Sequence, residues 1–189
     1  MNLPNKLTVG RLLLCLVFTL VLELSSPYAG LLAFFIFVVA SLTDWLDGYL
    51  ARRLRLVTDL GKLLDPLADK ILVSAAYIGL VAHNLAPAWI VVFIISREFL
   101  ITGLRMLAAS KGVIMAAERM GKHKTISQIV TVLIGLALLS FHQLNWLPAF
   151  STLMEVWLLK PLLWLTLFIT IYSGAAYFVK NYRMVLAEQ

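Results

Sequence analysis

The sequence predicts an all-α polytopic membrane protein, a bundle of six transmembrane helices with a short N-terminal interfacial segment. Composition, hydropathy and the recurrence of apolar runs predict it. Of the 189 residues 61% are hydrophobic and only 14% charged, whereas soluble domains are roughly half apolar and about a quarter charged. The mean hydropathy is +0.92. Apolar runs of near-membrane length recur along the whole chain, so burial in lipid is the economical reading. The length suits a single compact domain over residues 1–189, with no room for a second, soluble one.

The polar start from Met1 to Lys6, MNLPNK, suits a small amphipathic turn in the membrane interface. A first span follows from Leu7 to Leu24. It is long for the apolar part of a cleaved leader, and Ser25, Ser26 and Pro27 stand where a cleavage site would be. The second span runs from Ala29 to Leu50 and ends in Arg52, Arg53 and Arg55. The third begins near Gly61 or Pro66 and reaches Val81; the fourth covers Pro87 to Ala108. The fifth covers Ile126 to Phe141 and the sixth Pro161 to Phe178. No internal repeat, low-complexity tract or long linker interrupts the series.

Six spans put both termini on one side, with the second-to-third and fourth-to-fifth connections. That side holds Lys6, Arg11, Arg52, Arg53, Arg55, Lys62, Lys111, Arg119, Lys122, Lys124, Lys180 and Arg183. The other side holds His83, Asn84, His142 and the single Lys160. The positive-inside rule makes the basic side cytoplasmic, in a cell membrane. The net charge of +6 is then a matter of topology and not a sign of nucleic-acid binding. Cys15, the one cysteine, excludes an intrachain disulfide and reads as a small apolar residue of a membrane helix. Trp146, Trp157 and Trp164 fall near the outer boundary of the last two spans, as interface anchors do. His83, His123 and His142 share no metal-ligand spacing.

Four aspartates carry the chemistry. Asp44 and Asp47 close the second span in SLTDWLDGYLARR, and Asp65 and Asp69 open the third in GKLLDPLADK. Spacings of three and four residues put each pair on one helical face. Two antiparallel helices with a short connection would gather all four just inside the membrane surface. A carboxylate within an apolar segment costs about 2.5–3.5 kcal/mol, so four embedded together approach roughly 10 kcal/mol, plus mutual repulsion. A divalent cation removes both penalties. Oxygen-only ligands favour Mg²⁺ or Mn²⁺ over zinc or copper, and four carboxylates could bridge two ions about 4 Å apart. Gly48 and Gly61 would let a ligand approach the backbone closely, and Arg52, a helical turn beyond Gly48, offers a guanidinium fork to a phosphate.

In order, these residues give Asp44-x₂-Asp47-Gly48-x₂-Ala51-Arg52-x₈-Gly61-x₃-Asp65-x₃-Asp69. The run resembles the signature of the CDP-alcohol phosphotransferase family at every fixed position, and the six-span plan extends the resemblance over nearly the whole chain. The resemblance implies an enzyme that transfers a phosphatidyl group from CDP-diacylglycerol to a small alcohol. It implies two metal ions held by Asp44, Asp47, Asp65 and Asp69, with Asp69 also the general base. It implies contacts to the CDP moiety from Gly48, Arg52 and Thr58, joined by Asn5 and Thr8 of the NLPNKLT opening. A homodimer is also implied.

A second polar set addresses the acceptor. Arg97 and Glu98 sit in mid-span in SREFLITGLR, where ionisable residues usually face the bundle interior and mark a site. Adjacent helical residues point about 100° apart, so a simple pair between these two is not expected. Arg105, Arg119, Lys122 and Lys124 would suit an acceptor that carries its own phosphate, which favours glycerol-3-phosphate or inositol phosphate over serine. SREFLITGLR, GKHKT and LDPLADKILVSAA are further similar to the bacterial branch of the family that takes glycerol-3-phosphate. Competing readings are the same chemistry on inositol phosphate, serine or phosphatidylglycerol, a divalent-cation carrier, and a helical scaffold without chemistry. The carrier reading lacks acids in the outer halves of the spans, and the scaffold leaves four clustered aspartates unexplained.

Overall fold

The computed structural model describes the backbone of residues 3–54, 59–110 and 119–186 and the side chains of residues 10–43, 70–108 and 123–180. All regular structure among the described residues is helical. Helix α1 spans Leu3–Leu22, α2 Ala29–Leu54, α3 Asp59–Ala82, α4 Ala88–Ser110 and α5 Arg119–Gln143. Helix α6, Pro148–Met154, passes through a π-helical turn, Glu155–Leu159, into α7, Lys160–Leu186. Both junction residues keep right-handed helical dihedrals, so α6, the turn and α7 form one rod.

Contacts between the rods fix their directions. Leu22, at the end of α1, packs on Gly79 near the end of α3, and His83 Nε2 lies 3.3 Å from the Leu22 carbonyl. The two helices therefore run the same way. Leu80 of α3 packs on Gly135 of α5, and Tyr77 reaches the Gln128 carbonyl further back along both helices, so α5 runs with them. Gly30, at the start of α2, donates its N–H to Gln143 Oε1 at the end of α5 (2.6 Å), so α2 opposes it. Contacts between Trp89 and Trp164, Arg97 and Ser173, and Arg105 and Tyr177 advance together along α4 and α7. Those two helices are parallel to each other. Thr131 of α5 bonds Thr166, whereas Lys124, earlier in α5, lies by the later Ser173 end of α7 through Glu98 and Arg97. Helix α7 thus opposes α5, and the rods alternate.

Two turns at one end of the bundle use the same device. Asn84 and Asn145 adopt left-handed φ of 60° and 49°, tolerated in asparagine because its short side chain bonds locally. After α3, Leu85 N–H bonds the Leu80 carbonyl and Asn84 N–H that of Val81. After α5, Trp146 N–H bonds Phe141 and Asn145 N–H bonds His142. Each is a Schellman closure that satisfies the last carbonyls of its helix. Trp146 folds back on Phe141, ring centroids 5.4 Å apart, supplying the apolar contact that usually accompanies the motif.

The core is built from Phe18, Phe37, Tyr77, Leu80, Ile94 and Leu136, all buried. The outward faces are also apolar: Leu16 and Leu20 of α1, Phe35 of α2, Val92 and Phe93 of α4 and Phe168 of α7 are each more than half exposed. Helices apolar on every side belong in the core of a large protein or in a membrane. Two stretches, His123–Gln143 and Pro148–Lys180, are long and apolar enough to cross a bilayer among the described residues, beside the shorter Gly10–Leu22, Ala29–Thr43 and Lys70–Ala82.

The opening is helical from Leu3 and continuous with the first span; Pro4 falls in its first turn, where a missing N–H costs nothing. One expectation is corrected. The last rod begins at Pro148 and not at Pro161. Pro161 lies inside it, and the π turn just ahead supplies the room: Lys160 N–H reaches back five residues to the Glu155 carbonyl, loosening the turn on which a proline ring would otherwise clash. Arg11, expected on the cytoplasmic side, is buried, on the stripe of α1 that also carries Cys15, Phe18 and Leu22.

At Gly30 the backbone of α2 comes close to that of α5. A Cβ there would meet the Ser140 backbone nitrogen at 3.0 Å and Gln143 Oε1 at 2.9 Å. Gly30→Ala is therefore expected to destabilise the fold by about 1–3 kcal/mol, the usual range for overpacking. Gly103, whose Cβ would meet nothing within 4 Å, should accept alanine without loss. Denaturant unfolding in detergent micelles compares the two.

Candidate functional site

The alternation of the rods brings one set of helix ends together. The starts of α3 and α5 and the ends of α2, α4 and α7 share one end of the bundle. Asp44, Asp47, Gly48 and Arg52 belong to the later part of α2, and Gly61, Asp65 and Asp69 to the early part of α3. Asn5 and Thr8 belong to α1, and Arg119 and Lys122 to the first turns of α5. The side chains of all eleven lie outside the described residues, and Thr58 lies outside them entirely. Beside these segments, the described part of this end holds a buried polar network across α4, α5 and α7.

Glu98 of α4 is its centre. The Lys124 ammonium of α5 lies 2.5 Å from its carboxylate. Gln128 Nε2, one helical turn further along α5, donates to the same carboxylate at 3.3 Å, and Arg97 Nη1 does so at 3.2 Å. Arg97 Nη2 donates to Ser173 Oγ of α7 at 3.0 Å. Gly174 makes room for that arginine, since a Cβ there would meet Arg97 Cγ at 3.0 Å and Nε at 3.2 Å. The side chains of Lys124, Glu98 and Arg97 are only 8, 11 and 14% exposed. Ionised groups so far from water persist only when paired and hydrogen-bonded.

The network has extensions toward both ends. Near the Lys124 end, Arg105 Nε donates to Tyr177 Oη at 3.3 Å, with the guanidinium 5.2 Å from the ring centroid. Deeper in the bundle, Thr131 and Thr166 share a hydrogen bond of 2.9 Å. Thr166, Ser173 and Tyr177 are all buried on the inward face of α7. A small cavity of about 30 Å³ is lined by Lys70, Ser74, Tyr77, Glu98, Thr125 and Gln128. It joins the residue that follows Asp69 to the Glu98 network and has room for a water.

Arg97 and Glu98 touch although adjacent helical residues point about 100° apart. Both side chains are long enough to bend round, and Glu98 is shared with Lys124 and Gln128, so the contact is one edge of a network. Of the residues expected to take the acceptor's phosphate, Lys124 is held by Glu98 and Arg105 lies against Tyr177. Sequence reasoning overlooked Gln128, Ser173 and Tyr177. The signal was available in their spacing, because Lys124 with Gln128 and Ser173 with Tyr177 are i, i+4 pairs within otherwise apolar helices. Among the described residues no three His, Cys, Asp or Glu side chains could hold a metal. The four aspartates of α2 and α3 offer an oxygen-only donor set, which suits a hard divalent ion.

Among the described residues the fold is a helical bundle, with four aspartates carried toward one end and a buried charged network around Glu98. Residues 1–172 match the CDP-alcohol phosphatidyltransferase family, and the chain belongs to it. The chain is similar, at 45% identity over 96% of each sequence, to a Bacillus subtilis protein named CDP-diacylglycerol–glycerol-3-phosphate 3-phosphatidyltransferase. Proteins of the same name from Rickettsia bellii (36% identical over 94% of this chain and 93% of that one) and Pseudomonas fluorescens (38% over 72% and 73%) are also similar.

Ser173→Ala removes the hydroxyl that accepts from Arg97 and should cost about 1–3 kcal/mol, the range for a buried hydrogen bond to a charged group. Thr152→Ala, at an exposed hydroxyl bonded only to the Pro148 carbonyl of its own helix, should change stability by less than about 0.5 kcal/mol. Paired unfolding curves in one detergent test the contrast.

Proposed function

We propose that this protein transfers the phosphatidyl group of CDP-diacylglycerol to glycerol-3-phosphate, forming phosphatidylglycerophosphate and CMP. The observation that carries the reading is near full-length similarity, at 45% identity, to a relative with that name, in a chain that keeps every fixed position of the Asp44–Asp69 signature.

The chemistry divides among residues of this chain. Asp69 takes the proton of the acceptor hydroxyl as its oxygen bonds to the phosphorus bearing diacylglycerol. The bond from that phosphorus to CMP breaks, and CMP leaves. Gly48, Arg52, Thr58 and Gly61, with Asn5 and Thr8, hold the CDP moiety. Lys124, with Arg105, Arg119 and Lys122, receives the acceptor's phosphate; α5 has no acid in its first turn, so its positive dipole end also favours an anion. Asp44, Asp47, Asp65 and Asp69 would hold Mg²⁺ or Mn²⁺, as one ion or a pair. When bound, the metal neutralises charge on the pyrophosphate and on the leaving CMP.

We read the six rods as six membrane spans, because their outward faces are apolar where a soluble bundle would be polar. The basic residues then put both termini and the site on the cytoplasmic side of the cell membrane. A homodimer follows from the family resemblance alone.

Purified protein in detergent, supplied with Mg²⁺ and CDP-diacylglycerol, should release CMP only when glycerol-3-phosphate is added. Release driven by inositol phosphate or serine would overturn the acceptor assignment. Thorough chelation with EDTA should abolish release and Mn²⁺ or Mg²⁺ should restore it, while Asp69→Asn should lower kcat by a factor of at least ~10², within the usual range for general acid–base catalysis. Turnover surviving chelation would refute the metal reading.

A further inference from the structure

The proposed reaction makes no use of Glu98, although it is a buried carboxylate touched by three side chains. An acidic group beside lysines meant to receive a phosphate would be expected to weaken anion binding, so its presence needs a physical reason. Stability is a poor one. An apolar trio of similar volume would join α4 to α5 at least as well, because desolvating the charges offsets their attraction.

Geometry supplies another reason. Lys124 has a long stem with several rotamers and a compact charge. Left alone near the bundle end, its ammonium would swing toward water. Glu98 itself is held from several sides. Its carboxylate accepts from Arg97 and Gln128, its backbone carbonyl accepts from Thr102 Oγ1 at 2.8 Å, and Arg97 is anchored on Ser173 of α7. The carboxylate is thus fixed by α4, α5 and α7 together before Lys124 reaches it. An ammonium has three donors, so one engaged with Glu98 keeps others for a ligand.

We propose that Glu98 is a positioning residue: it fixes the Lys124 ammonium in the place where that group meets the acceptor's phosphate, and so sets affinity for glycerol-3-phosphate without touching CDP-diacylglycerol. This rests on the acceptor reading above. Lys124 arrives at the site already ordered, and the rotamer freedom it would otherwise lose on binding has been lost on folding.

The test measures KM for each substrate and kcat in the wild type, Glu98→Gln, Lys124→Ala and the double variant. Glu98→Gln should raise KM for glycerol-3-phosphate by about tenfold or more, a loss typical of a mispositioned charge contact, with KM for CDP-diacylglycerol changed by less than about twofold. The double variant should be no worse than Lys124→Ala, as coupled residues are non-additive. Equal losses for both substrates, full additivity, or an unchanged acceptor KM would each overturn the proposal. If Glu98→Gln does not fold, Glu98→Gln combined with Gln128→Glu decides. That pair keeps the buried charge but moves the carboxylate onto the helix of Lys124. Acceptor KM should stay raised in it, and wild-type KM would show that charge balance alone suffices. A wild type that releases no CMP with glycerol-3-phosphate overturns the acceptor reading and this proposal with it. An active wild type with unaffected variants overturns only the proposal.

Discussion

The constraint on which the structure depends is that charged groups inside an apolar bundle must find partners within the protein. The helices meet one another through hydrocarbon, and an unpaired ion buried there costs several kcal/mol. Glu98 meets this demand by drawing on α4, α5 and α7 at once. Those helices cannot slide past one another without separating an ion pair or leaving Ser173 and Gln128 unbonded. The network therefore sets their register more sharply than leucine and isoleucine packing alone, which tolerates small shifts.

Small residues do the complementary work. Gly79 and Gly135 let the Leu22 and Leu80 side chains nest against a bare helix surface, and Gly174 gives Arg97 its path to Ser173. Van der Waals contact is the main attraction between helices in an apolar surrounding, so close approach matters more there than hydrophobic burial does. Asn84 and Asn145 then close α3 and α5 at matching ends, which keeps the intervening connections short and the rods alternating.

Function follows from where that alternation leaves the helix ends. The acid-bearing parts of α2 and α3 and the basic start of α5 come to the same end of the bundle. The proposed site for a nucleotide diphosphate and its metal would then lie beside the one proposed for a phosphorylated acceptor. The cavity between Lys70 and Glu98 lies between the two regions.

The amino-acid sequence by itself determined the helical class, the four aspartates with their i, i+3 and i+4 spacing, and the family. These are local properties: periodicity, composition and a fixed run of residues need no knowledge of distant contacts. Only the tertiary structure decided that α6 and α7 form one rod around Pro161, since a π turn depends on how the backbone relieves a proline. It alone decided that Arg11 is buried and that Gly79 and Gly135, unlike Gly103, are packing sites. The pairing of Glu98 with Lys124, 26 residues away, and of Arg97 with Ser173, 76 residues away, was likewise beyond the sequence. Charges at such separations reveal their partners only once helices are packed, because what joins them is the cost of leaving either one alone in an apolar interior.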